Sequence, residues 1–495
     1  MAPYAAGATA FRLEDEWRWK HIPLLRICVF PRHTLSDCHL MRRLLSFVLL
    51  VSLVASASAQ SSGFHACGDL SYLDDLEAVG ARFYDNGVQK NGMSVLKDHG
   101  MNMVRLRIWH TPTNGRDGLQ ATLLMAKRIQ AANLDFLLDF HYSDYWADPG
   151  KQYKPAAWEG LNFSSLRDSV RVYSSKVVQA LVDQGTPPDI VQIGNETTTG
   201  MLWNEGRVGG SYDNTSQWGR FASLTKAGIE GVREAGGSDV QIMIHIDRGG
   251  DAAGVRWFFD NLTAFNVEFD LIGLSYYPFW HGDLSKLEAA LQTATTRYKK
   301  PVMLAEIAYP WTLQWYDSQN NFVGSANQLI SGYPATPQGQ RAMIEAIVQR
   351  VQSLPDGMGV GVCYWAPELW AISQYPSAWE NLALFDNNGQ VLPAADALNP
   401  NFNVATEPDD VPASGTFQLY PNPVRSGQAL QWAAEAGQAL LAVVTDVLGR
   451  NVFTSPLSGR SGTLPVQSLA PGFYRMQVFS GNGVPVESRL FIVVP

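Results

Sequence analysis

The sequence predicts an α/β fold, a (β/α)8 barrel of the TIM type, followed by a small all-β, sandwich-like C-terminal domain. Two patterns carry this. From Gly63 to about Leu398, short apolar β-rich runs alternate with longer helical stretches. Beyond residue 416 the alternation stops, and close-spaced β-like runs separated by turn residues take over. Strand–helix alternation over this length specifies a barrel. A doubly wound sheet is disfavoured, because no Gly-rich phosphate loop follows the first strand.

The expected strands are 63–69 (GFHACGD), 103–109 (MVRLRIW), 134–140 (LDFLLDF), 190–194 (IVQIG), 240–246 (VQIMIHI), 270–276 (DLIGLSY), 301–307 (PVMLAEI) and 359–365 (GVGVCYW). Between them lie helical segments such as ATLLMAKRIQAAN and SLRDSVRVYSSKVVQALVDQG. The second places apolar residues at helical spacing and ends on a glycine, as a capped helix does. Polar and aromatic residues crowd the C-terminal strand ends, the face on which barrels of this kind carry their sites.

Residues 399–416 are rich in Pro, Asn, Asp and Ser and read as a linker. Residues 417–495 then form the β-rich module. At the other end, Met41-Arg42-Arg43, an apolar run and Ala57-Ser58-Ala59 make a secretory signal over 41–59. Such a signal needs a free N-terminus, so residues 1–40 are expected to come from an upstream mis-start. The mature chain then begins near Gln60, with the barrel at 60–398. Only Cys67 and Cys363 remain in it, on first and last strands that become neighbours on closure. Two core thiols are the favoured expectation, with a disulfide as the alternative.

A net charge of −9 excludes a nucleic-acid partner. Low charge with 15 Trp and 18 Tyr suits a neutral ligand with flat apolar faces, such as a sugar. Glu196 follows the fourth strand, after Asn195, and Glu306 ends the seventh. Those strands face each other across a barrel mouth, so both carboxyls can enter one cleft. Paired carboxyls flanking a glycosidic bond are what glycosidases require. The Asn195 amide can hold the 2-hydroxyl of the sugar under attack.

The motifs GDLSYL, MNMVRLRIWH, LDFHYSDYWADPGKQYKPAAW, VQIGNETTTGMLW, IGLSYYPFWHG, LAEIAYPWT and YWAPELW occur in that order. From about Phe64 to Asp396 the chain therefore resembles glycoside hydrolase family 53, the arabinogalactan endo-β-1,4-galactanases. The resemblance implies Glu196 as acid/base, Glu306 as nucleophile and internal cleavage of β-1,4-galactan with retention. A mannanase or glucanase of the same clan, or an inactive glycan-binding barrel, are the alternatives. Three departures stand out: Thr197-Thr198-Thr199 after the acid/base, where Ile-Asn is common; Ala366 in place of a rim Glu; and Cys67 in place of Gly.

Supporting roles are expected for Arg105 or Arg107 in holding Glu306 ionised. Arg105 is preferred, although strand parity does not separate the two. His141 and Asp144 are expected to bind sugar hydroxyls, and Asp69 and Tyr277 to reach the central sugar or the nucleophile. Trp365 is the expected stacking floor, and Trp109, Trp146, Trp280 and Trp311 are candidates for outer subsites. No cofactor is required. Calcium, which the resemblance implies for bacterial members, would draw on Asp317, Ser318, Asn320 and Asn321 in the loop after the seventh strand, with a solvated loop as the default. Finally, LYPNPV, DVLGRNVF and LAPGFYRMQV resemble the sorting domain of the type IX secretion system. That implies export to the cell surface and contact with secretion machinery. A monomer is expected.

Overall fold

The computed structural model describes residues 63–399 and, within 418–494, all but 423, 434–439, 447–449, 460, 468 and 481–484. The expected mis-start, signal segment and nearly all of the linker lie outside the described residues. Eight parallel strands close into a barrel: β1 (His65–Asp69), β2 (Met103–Ile108), β3 (Asp135–Phe140), β4 (Ile190–Ile193), β5 (Gln241–Ile246), β6 (Leu271–Tyr276), β7 (Val302–Ile307) and β8 (Gly359–Trp365). Each pairs with its sequence neighbours, and β8 closes on β1 with Cys67 opposite Cys363. Those two thiols are free and fully buried, with sulfurs 2.7 Å apart.

Five helices of the outer ring begin where a short polar side chain can satisfy amides left free at a helix start. Asn162 caps α1 (Phe163–Asp183), Asn214 caps α2 (Thr215–Gly236), Asp251 caps α3 (Ala252–Thr263), Asp283 caps α4 (Leu284–Tyr298) and Thr336 caps α5 (Pro337–Gln352). In α1 the buried positions Leu166, Val170, Ser174, Val177, Val178 and Leu181 make one stripe at helical spacing. The helix ends at Gln184, and Gly185 takes the positive φ of 83° that closes it. Where α1 meets α2, a Cβ on Gly231 would lie 2.1 Å from the Arg171 carbonyl oxygen, so only glycine permits that approach.

Two apolar layers result. Alternate strand residues pack outward against the helices, while Cys67, Met103, Leu137, Ile190, Met243, Leu271, Met303, Ala305 and Cys363 fill the barrel interior. Each large side chain so buried contributes about 1.5–3 kcal/mol. The interior is thus a packed floor, and whatever stands above it faces the barrel mouth.

The C-terminal module has a three-stranded sheet (Gln418–Tyr420, Leu430–Ala433, Ser461–Leu464). Its second, five-stranded sheet contains Val424–Arg425, Leu440–Asp446, Asn451–Leu457, Gly472–Ser480 and Pro485–Val494. Period-two positions such as Ala442 and Val444, Met476 and Val478, Phe491 and Val493 form its own core. Trp432 lies in that core, 2% exposed, and offers no sugar-binding face.

The barrel and module cores share no residue. A chain ending at Pro412 is therefore expected to melt within about 2 °C of the barrel transition in the full chain, a shift corresponding to under about 1 kcal/mol. Differential scanning calorimetry checks this, and loss of a cooperative barrel transition would contradict it.

Candidate active site

Above the apolar floor, nearly every strand repeats one step. The inward residue two positions further along is polar or aromatic: Asp69 after Cys67, Arg105 after Met103, Asp139 after Leu137, Gln192 after Ile190, His245 after Met243 and Trp365 after Cys363. On β6 the inward run Leu271, Gly273, Ser275 does the same. Strand β7 departs from the rule. Leu304 pairs with Leu274, but Ser275 pairs with Glu306, so Ala305 is the extra residue of a bulge. Ala305 stays in the interior cluster while Ile307 joins the outer one, and Glu306 is turned into the mouth.

Glu196 reaches the same space by a different device. Gly194 has φ of 85° and Glu196 itself φ of 45°, a left-handed turn just past β4. A Cβ on Gly194 would meet Thr197 Cγ2 at 2.5 Å. A left-handed non-glycine residue costs about 1–3 kcal/mol and must be held by its surroundings. The three threonines hold it. Thr197 Oγ1 donates to the His245 carbonyl (3.1 Å), Thr198 Oγ1 to Asp247, and Thr199 Oγ1 to the Pro149 carbonyl (2.9 Å).

Arg105 is the hub. Its guanidinium meets Asp69 at 2.7 Å, Asp139 at 2.9 Å and Glu306 at 3.1 Å, and donates to Asn195 Oδ1 (2.8 Å) and Gln192 Oε1 (3.3 Å). Burial opposes its charge, but Asp139, Glu306 and Asp69 outweigh that and keep it charged. Burial would raise Asp139 too, yet Arg105 and His141 hold it below the usual carboxylate range. Arg107 stands on the same strand face but turns away, pairing with Asp117 (3.0 Å) and lying over Tyr72 and Trp146.

The two glutamates have an oxygen each within 4.8 Å of one another. Their surroundings differ. Burial raises Glu306, but Arg105 and a 2.7 Å hydrogen bond from the Tyr277 hydroxyl oppose the rise. Burial, then Glu306, then Asp247 drive Glu196 well above the usual carboxyl range, opposed mainly by a 2.6 Å hydrogen bond from Ser275. Glu196 is therefore the partner that holds a proton and Glu306 the one that gives it up. Tyr277 stays a protonated donor, raised by burial and by both glutamates.

Tyr277, Asn195 and Trp365 line the cleft with the glutamates, and Trp146, Trp280, Trp379, Asp247 and His281 complete its wall. One Asn195 amide hydrogen goes to the Ala147 carbonyl (2.9 Å), leaving the second for a ligand. Trp109 lies in an adjoining arm that shares Trp146, Trp365 and Trp379 with the central cleft, so the groove runs on past the glutamates.

Other expectations fail. His141 is 2% exposed, with one ring nitrogen near Asp139 (3.1 Å) and the other accepting from the Ala147 amide (3.0 Å), so it braces the site without reaching a ligand. Asp144 accepts from the Thr111 and Ala156 amides (2.9 Å each) and ties loops. Asp69 is spent on Arg105 and on Ser71 (2.6 Å). Trp311 stacks on Tyr316 and does not line the cleft. Ala366 is buried, and the Glu368 carboxyl two residues on is buried too, accepting from the Tyr72 amide (3.1 Å). The sequence reading also missed Asp139, Gln192, His245 and Ser275, each placed by the two-residue step, and Trp379, which a loop brings to 4.5 Å from Trp365.

Of the calcium candidates, Asn320 is exposed and Asp317 accepts from the Gln319 and Ser377 amides (2.6 Å each). Hard oxygens gather nearby, however. Glu380 packs against Asp317, and burial pushes its carboxyl up to about 7. Glu380 Oε2 and Asn321 Oδ1 are buried and have no hydrogen-bond partner among the described residues. Two carboxylates and an amide oxygen are the donor chemistry of a calcium ion.

Comparison with known proteins matches both parts of the chain. Residues 66–398 match the model of glycosyl hydrolase family 53, and residues 418–493 match a secretion system C-terminal sorting domain. An uncharacterized protein from the bgaB 5′ region of Niallia circulans is 44% identical, over 70% of this chain and 96% of its own. An arabinogalactan endo-beta-1,4-galactanase from Cellvibrio japonicus is 33% identical, over 70% and 93%. The solved GH53 catalytic domain of Ignisphaera aggregans superposes with a TM-score of 0.65 at 32% identity, covering 70% of this chain and 98% of that one.

Two outcomes are expected. Arg105→Met leaves Asp69, Asp139 and Glu306 buried without a counter-charge, and should cost about 3–5 kcal/mol in urea unfolding; a change under about 1 kcal/mol would contradict the hub. For Glu380, the folded state binds its proton more tightly than the unfolded chain. That stabilisation is complete below the ordinary glutamate range and is lost as pH rises through about 7. In EDTA, Glu380→Gln should therefore melt higher than the parent at pH 8 and alike at pH 4.5, and a pH-independent difference would contradict the assignment.

Proposed function

This chain belongs to glycosyl hydrolase family 53 and ends in a secretion-system sorting domain, and from that premise we propose that it is a retaining endo-β-1,4-galactanase. The observation that carries the reading is the pairing of Glu196 and Glu306 within 4.8 Å, both raised by burial but only Glu306 held back by a direct contact with Arg105. Retaining enzymes place their carboxyls about 5–5.5 Å apart, whereas inverting ones need about 6.5–9.5 Å to admit a water.

In the proposed reaction Glu306, ionised beside Arg105, attacks C1 of the sugar while Glu196 delivers its proton to the glycosidic oxygen. The C1–O bond breaks, the aglycone leaves as an alcohol, and a glycosyl ester forms on Glu306. With Glu196 now ionised, it takes a proton from water as that water attacks C1, which releases Glu306 and restores the starting state. Asn195 holds the 2-hydroxyl, and Trp365 with Trp379 supplies the apolar floor. A groove that continues past the glutamates suits attack within a chain. The galactan preference rests on the similarity to the Cellvibrio japonicus galactanase. Calcium enters only as a brace: Asp317, Asn321 and Glu380 would hold it, and no step needs it. The sorting domain indicates delivery to the cell surface. Cleavage of a signal at 41–59 belongs to the same proposal.

The glutamates should fail differently when removed. Glu306→Ala should abolish turnover of galactan and of aryl galactobiosides, with azide restoring cleavage to an inverted product. Glu196→Ala should slow galactan by about 10²–10⁴-fold, yet still form the glycosyl-enzyme from aryl galactobiosides, which need little protonation. Near-normal galactan hydrolysis by both variants would overturn the reading.

A further inference from the structure

We propose that Ser275, backed by His245, is a positioning residue that aims the Glu196 carboxyl and holds it for its return as base in the second half of the reaction. This rests on the galactanase reading above. Ser275 sits at the end of β6, opposite Glu306 in register, yet its hydroxyl goes to the other glutamate. The hydrogen bonds behind it run in one direction. Gln192 Nε2 (2.9 Å) and the Glu196 amide (3.4 Å) both aim donors at His245 Nδ1, and Asn195 Oδ1, 3.1 Å from the same nitrogen, already accepts from Arg105 (2.8 Å). With Nδ1 accepting, the His245 ring hydrogen sits on Nε2 and goes to Ser275 Oγ (2.8 Å). The Ser275 hydroxyl hydrogen is then free only for Glu196 Oε1 (2.6 Å). Burial pushes His245 well below its ordinary range, so the ring is neutral, as this direction requires.

Gln192, His245 and Ser275 are all 0% exposed. A buried polar chain is tolerated when every member is satisfied, and this one ends on the carboxyl that must change charge. The division of labour between the glutamates shows why the hydroxyl matters. Glu306 has Arg105 and Tyr277 to stabilise its charge. The groups facing Glu196 are Glu306 on β7, Asp247 after β5, His245 on β5, Arg105 on β2, Tyr277 after β6, and Asp148 and His281 across the cleft wall. Among them Glu306 and Asp247 disfavour its ionised form, as burial does. Ser275 donates to that form and Arg105 favours it from further away. Without Ser275, Glu196 would keep its proton too tightly to serve as base.

The test is Ser275→Ala in the full chain, measured beside the parent and Glu196→Ala on galactan and on an aryl β-1,4-galactobioside whose leaving group makes deglycosylation limiting. The alkaline limb of kcat/KM should move up by about 0.5–1 pH unit, because a donor to the charged form is lost. On the aryl substrate kcat should fall about tenfold with kcat/KM at acid pH changed by less than about twofold, so KM falls in step. A purely structural role would lower melting temperature and activity without moving the limb. An unmoved limb with unchanged kcat, in a variant that melts as the parent does, overturns the proposal. If the alanine variant does not fold, Ser275→Cys keeps the volume with a weaker donor. It should give a smaller shift of the same sign, and no shift there overturns the proposal equally. Glu196→Ala separates the two claims: if it hydrolyses galactan normally the galactanase mechanism fails, whereas its collapse with an unmoved Ser275 limb fails Ser275 alone.

Discussion

One buried guanidinium facing three carboxylates sets the terms for the rest of the site. Arg105 is 1% exposed, and so is Asp69; Asp139 is wholly buried. Charges so far from water survive only with partners in good geometry, which the forked cation supplies to several acceptors at once. A lysine would offer a single point of charge. Burial leaves Glu306 with a proton affinity above that of an exposed glutamate; Arg105 opposes the rise, and Asp69 and Asp139, bound to the same cation, add to it. Glu196 receives less of the cation's field and more repulsion from its neighbours. One cation therefore separates two chemically identical side chains into different roles.

The barrel makes this separation repeatable. Period-two alternation puts every second strand residue inside, so one layer of apolar side chains and the polar layer above it follow from the same geometry. Two local exceptions then add the reacting groups. The bulge at Ala305 turns Glu306 inward one position out of step, and the left-handed turn lifts Glu196 past the end of β4. Both conformations cost free energy, and both are held from outside. Ser275 and Tyr277 lie against the first, and the three threonines fasten the second to β5 and to the loop after β3. The departure from the family pattern at Thr197–Thr199 is therefore a set of tethers.

Much of this was legible beforehand, for identifiable reasons. The eight strands were readable because each is a short apolar run, and the glutamates because they fall at the ends of β4 and β7. Sequence alone does not separate Arg105 from Arg107, since both share one strand face. What separates them is Asp117, ten residues beyond Arg107, folding back to claim it. His141 and Asp144 were misread because strand-end polar residues also hold loops together, and nothing in a sequence tells an amide-capping carboxylate from a sugar-binding one. Asp139, Gln192, His245 and Ser275 were within reach, for each lies two residues beyond an apolar core position on a strand already recognised. Trp379 was not: its place depends on a loop path with no periodicity.

The central claim is that the glutamate pair is spaced and charged for direct attack by Glu306, and the configuration of the first product tests it most directly. Proton NMR of β-1,4-galactan during the first minutes of digestion should show the β-anomer at the new reducing end, with the α-anomer growing in only as mutarotation proceeds. First appearance of the α-anomer would mean that a water, and not Glu306, had attacked the sugar, and would contradict the assignment of roles to the pair.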